Sequence, residues 1–108
     1  MKLESIGEVI AERRLSVAGN PSVNIVVRMG KPQPLPEALG NDQFCPIQII
    51  GVGDERVRYA AGIDAFQAIQ LGMRSIAVNL LVIKRDYGLD LRWEGDEHGD
   101  LGFPPTTD

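Results

Sequence analysis

His98 is the sole imidazole in the chain, and Asp96, Glu97 and Asp100 lie within two residues of it. Carboxylates with an imidazole can bind zinc or a harder divalent ion. The competing reading is a solvated acidic loop. A zinc site would draw ligands from elsewhere, and Cys45 is the one other soft donor in the chain. The residues therefore predict no metal and no cofactor.

Cys45 stands between Phe44 and Pro46 in an apolar run. A thiol becomes a nucleophile only where its pKa is lowered. The one candidate base is His98, in the C-terminal segment, so Cys45 reads as a small buried hydrophobe. Asp54, Glu55, Arg56, Arg58 and Asp64 gather around one turn. Paired carboxylates do acid–base work when their pKa values are driven apart. Nothing in the sequence buries two of these together, and a salt-bridged hairpin end is the simpler reading. Gly51 and Gly53 begin a dinucleotide fingerprint, but its third glycine position is Arg56 and no helix starts there. There is no Walker loop, nucleophile elbow or metalloprotease helix. No catalytic residue is predicted, and the chain is not expected to be an enzyme.

The elements that carry these residues follow from periodicity. Residues 9–17 alternate as a strand, with Ala11, Arg13, Leu15 and Val17 in one row and Glu12, Arg14 and Ser16 in the other. Turn formers at 19–22 lead into a second strand over 23–30, which makes an antiparallel hairpin. Residues 31–43 read as a loop stiffened by Pro32, Pro34 and Pro36. Strands follow over 44–52 and 56–60. Asp64 caps a long helix over 65–86, with Gln67 at N3, Lys84 and Arg85 in the last turn and Gly88 just beyond. A short strand over 89–93 and an acidic tail over 94–108 complete a single domain spanning 1–108. The fold class is α+β: an antiparallel sheet of four to five strands with one long helix packed on one face.

The helix carries two apolar rows. Phe66, Ile69, Met73, Ile76, Leu80 and Ile83 form the row expected against the sheet. Leu71, Val78 and Val82, with Leu81 at the edge, form a second ridge among polar residues. Either the tail or another chain must cover that ridge. These four residues are the candidate interface, for a homodimer or a protein partner. Trp93 and Phe103 are expected to anchor the tail across the domain.

The chain has 108 residues and a net charge of −4. Ten basic side chains nearly balance nine acidic ones up to residue 88, whereas residues 89–108 set six carboxylates against Arg92 alone. Arg13, Arg14, Arg28 and Lys31 could share a basic face, but no aromatics interleave them, so nucleic-acid binding is not expected. A lone cysteine allows no intrachain disulfide and suits a reducing compartment. With no leader-like apolar run near Met1, the expected location is cytoplasmic. The apolar stretch at 76–83 is interrupted by Asn79, and Gln67, Gln70 and Arg74 lie in any wider window, so no membrane span is read.

Cys45-Pro46-Ile47-Gln48-Ile49, Gly51-Val52-Gly53-Asp54, Gly62-Ile63-Asp64-Ala65 with Gln67-Ala68, Leu91-Arg92-Trp93 and Gly99-Asp100-Leu101-Gly102-Phe103-Pro104 together resemble a small bacterial family known as a domain of unknown function. The resemblance runs from about Ile10 to Pro104. It implies a cytosolic one-domain protein and carries no activity, cofactor or catalytic residue. The residues themselves favour a non-catalytic protein-interaction module, such as a small acidic immunity or accessory protein. The alternative is a metal-dependent or small-molecule enzyme built on Asp96, Glu97, His98 and Asp100.

Overall fold

A computed structural model describes residues 1–36, 40–94 and 98–104. Six strands and one helix follow in the order β1 (Val9–Val17), β2 (Asn24–Gly30), β3 (Gln33–Pro34), β4 (Gln43–Ile50), β5 (Arg58–Gly62), α1 (Ala65–Tyr87) and β6 (Leu91–Arg92). All pairings are antiparallel. The fold is therefore α+β, an antiparallel sheet with one long helix.

Across the sheet the strands run β5-β4-β2-β1-β6. The two-residue β3 lies inside the stretch that the sequence reads as a loop. Gln33 and Pro34 pair with Phe44 and Gln43, one residue out of step with the β2–β4 register, so β3 prolongs β2 along the same edge of β4. A proline fits there because its missing N–H costs no ladder bond at a strand margin.

The alternation in β1 and β2 places Leu15, Val17, Ile25, Val27 and Met29 on the face beneath the helix, all buried. In β4 both faces are covered, which explains its apolar run from Phe44 to Ile47. Cys45, Ile47 and Ile49 belong to the core below α1. Phe44 and Pro46 are buried on the other face. There the N-terminal segment crosses the sheet, and the backbone of Ile6 lies against Gly30 so closely that any Cβ at Gly30 would collide with the Ile6 carbonyl. Phe44 also meets Tyr59 edge to face, with centroids 6.0 Å apart.

Helix α1 begins where the capping chemistry places it. Asp64 Oδ1 accepts from the Gln67 amide at 2.8 Å, and the Ile63 amide donates to Gln67 Oε1 at 2.8 Å. Gly88, left-handed at φ 62°, ends the helix one residue after Tyr87. Ala68, Gly72, Ile76 and Leu80 form its buried line. By length and composition alone α1 could cross a membrane, with a mean hydropathy of 1.4 over its most apolar stretch. The same test is passed by helices that line soluble cores, and the buried line of α1 rests on the sheet.

Phe66 departs from the expected inward row. It is 80% exposed. Phe66 shares a side of the helix with Met73 and buried Leu80, so its exposure comes from its place at the helix start, before the first buried residue, Ala68.

Candidate functional site

The residues with chemical potential are occupied by structural tasks. Cys45 is fully buried, and burial pushes its thiol up from 9.0 to about 11. It is thus a poorer nucleophile than a free cysteine. Asp54 bonds the Arg56 amide at 2.9 Å and pairs with its guanidinium at 3.4 Å. Glu55 accepts from the Gly51 amide through its side chain and from Gln48 through its carbonyl, both at 2.8 Å. Asp64 is the helix cap. These carboxylates are spread along a turn and a helix start, each holding local backbone, and all are exposed. Asp90 is held below the usual carboxylate range by its hydrogen bond to Arg92.

Of the acidic set around His98, Asp96 and Glu97 lie outside the described residues. Among the described residues no three of His, Cys, Asp and Glu come together in a way that could hold a metal ion. The four basic residues Arg13, Arg14, Arg28 and Lys31 do not share a face. Arg14 and Arg28 flank Glu12 on the open side of the sheet, at 3.4 and 3.0 Å. Arg13 follows Leu15 and Val17 to the opposite side, as strand alternation requires.

Arg13 is the centre of the most specific arrangement in the molecule. Its guanidinium carbon lies 4.0 Å from the Trp93 ring centroid and 4.7 Å from that of Phe103. Its Nη1 donates to the Leu101 carbonyl at 3.0 Å. A cation between two aromatic faces gains from both ring quadrupoles. Trp93 is delivered by β6, which pairs Arg92 and Leu91 with Ser16 and Val17 of β1. Gly102 sits within the clamp at φ 76°, where a Cβ would lie 2.7 Å from Arg13 Nη1 and press on the Trp93 ring. The tail is therefore anchored by Trp93 and Phe103, as expected. The partner of those rings is Arg13, which the sequence signals only as a charge in an otherwise apolar row.

The clamp decides where the tail goes. Leu101 and Phe103 pack on the core beside the helix, on the flank facing β1. Pro104 continues along the helix to Gln70, Leu71, Met73 and Arg74. Among the described residues the tail reaches the edge of the outer ridge, where Leu81 borders Leu101, Phe103 and Pro104 and Leu71 borders Pro104, and leaves the rest of it open. Leu71 is half-buried, while Val78, Leu81 and Val82 are 45%, 52% and 38% exposed. At the start of the helix Ile63 and Phe66 are more exposed still, although the sequence reading placed Phe66 in the row against the sheet. A helical wheel marks which residues share a side; it does not mark where the sheet below ends.

No curated protein and no solved structure matches the chain. A family model does match, over residues 11–105. The chain belongs to the family described as Domain of unknown function (DUF6968).

Proposed function

We propose that the chain is a non-catalytic protein-interaction module that docks through the outer face of α1, and that the first occupant of this face is a second copy of the chain. The observation that carries the reading is the exposure of Val78, Leu81 and Val82, a face whose edge the described tail residues reach at Leu81. Leaving three large aliphatic side chains in water on a packed helix gains nothing for the fold. Leu71, Val78 and Leu81 recur at spacings of seven and three residues, the interval that lets one helix seat against another. The catalytic candidates lend no competing support, since Cys45 is sealed in the core and the described carboxylates cap and brace turns.

Disulfide trapping tests this directly. A Val78→Cys variant should cross-link to a covalent dimer on mild oxidation. A Glu12→Cys variant, on the open face of the sheet, should stay monomeric under the same conditions. Buried Cys45 contributes no background. Equal cross-linking at both positions, or none at Val78→Cys, would remove the proposed dimer face.

A further inference from the structure

Beside the clamp lies a half-open cleft of about 140 Å3 between the sheet and α1. Its walls are Ala11, Val27, Met29, Met73 and Ile76, and Phe103 closes one side. Arg13 lines it as well. Glu12 contributes to the wall, but its carboxylate is turned to the far face of the sheet, where it holds Arg28 and Arg14. The lining is otherwise apolar, and two of its side chains are methionines, which adapt to the shape of whatever they meet.

Arg13 has an unusual standing here. It is half-buried, yet among the described residues no carboxylate pairs with it. One of its five N–H donors is used, at the Leu101 carbonyl. The ring faces of Trp93 and Phe103 stabilise the charge without satisfying the remaining donors. A guanidinium withdrawn from water and lacking a counter-ion is complementary to a planar anion, and carboxylate is the anion its fork geometry fits.

The geometry points to a ligand site for a small amphipathic carboxylate. The apolar body enters the cleft between Met29 and Met73, and the carboxylate meets the open donors of Arg13. An apolar cavity of similar volume takes up a benzene ring, so the body should be about six carbon atoms. The site is separate from the outer face of α1 and does not depend on the dimer proposed there. Phe103 forms its rim and Trp93 stacks on Arg13 beside it, so a bound ligand tightens the hold on the tail.

The chain offers its own reporters. It contains three methionines and one tryptophan. Met29 and Met73 line the cleft, Met1 lies away from it beside Arg56 and Tyr59, and Trp93 stacks on Arg13. With 13C-methyl methionine labelling, benzoate and hexanoate should shift the Met29 and Met73 signals and change Trp93 emission, leaving Met1 still. The neutral counterparts benzyl alcohol and hexanol should bind at least about tenfold more weakly, the scale of one charge-assisted hydrogen bond. Arg13→Gln should erase that preference. Arg13→Lys keeps a cation against the two rings and should retain part of it, which guards against a trivial loss of the tail. Met73→Phe fills the cleft and should weaken all four compounds together. Unmoved Met29 and Met73 signals up to about 10 mM carboxylate would overturn the site. So would equal binding of acid and alcohol, which would leave only an apolar packing gap.

Discussion

The two sides of α1 are made of the same kinds of residue and behave differently. On the inner side Ala68, Gly72, Ile76 and Leu80 are sealed against the sheet. On the outer side Val78, Leu81 and Val82 face water. Burial gives the first set its energetic weight, since stabilisation scales with apolar area removed from water. The second set, 38–52% exposed, carries less such weight within one chain. Apolar residues that do nothing for the fold are explained by what they meet outside it. The tail could have erased this contrast by folding over the outer ridge. Arg13 instead holds Trp93, Leu101 and Phe103 at the β1 flank, and the described tail residues meet the ridge at its edge, beside Leu71 and Leu81.

The contrast can be broken first at its inner side. Ile76→Ala should lower the stability in urea by ~2–5 kcal/mol, the usual range for a large aliphatic residue truncated in a sealed core. Val82→Ser on the outer side should stay within ~0.5 kcal/mol in dilute protein. Similar losses at the two positions would mean that the outer ridge is covered within the single chain.

The clamp comes next in size. Arg13→Ala removes two cation–π contacts and a hydrogen bond, and should cost ~1–3 kcal/mol. It should also make the tail cleavable by limited proteolysis while β1 and β2 stay protected. A tail that remains resistant would show that Leu101 and Phe103 hold it without the guanidinium. A smaller effect is expected at the helix start, where Asp64→Ala leaves the Gln67 amide unpartnered and should cost ~1 kcal/mol.

Cys45 sharpens the inner side through pH. Burial favours its neutral thiol, so its folded pKa of about 11 stands above the unfolded value of 9.0. The stabilisation this represents is complete below 9.0 and is lost as pH rises through about 11. Wild type should therefore lose more stability across that window than Cys45→Ala does. Parallel loss in the two proteins would show that the thiol does not titrate against the core.

Most of the fold was legible in the sequence because the signals are local. The period-2 rows of β1 and β2, the apolar run of β4 and the Asp64–Gln67 cap each specify an element without reference to distant residues. The strand expected over 44–52 runs Gln43–Ile50, and the one expected over 56–60 runs Arg58–Gly62. What escaped depends on distance in the sequence. The pairing of β3 with β4 joins a proline-rich stretch to a strand beyond it. The exposure of Phe66 depends on where the sheet ends. The basic set of Arg13, Arg14 and Arg28 ignored an alternation that already placed Arg13 with Leu15 and Val17. Its ring partners, Trp93 and Phe103, lie at the other end of the chain, so no local pattern could link them. Of the candidate interface, the ridge itself was readable from helical spacing. That the described tail residues meet it at its edge, beside Leu71 and Leu81, was not.

Sedimentation equilibrium on wild type and on a Val78→Asp, Leu81→Asp double variant tests the central claim most directly. Wild type should approach twice 11.8 kDa as its concentration rises through the micromolar range. The double variant should hold the monomer mass with an unchanged far-ultraviolet spectrum. A wild-type protein that stays at 11.8 kDa throughout, matching the variant, would contradict the account.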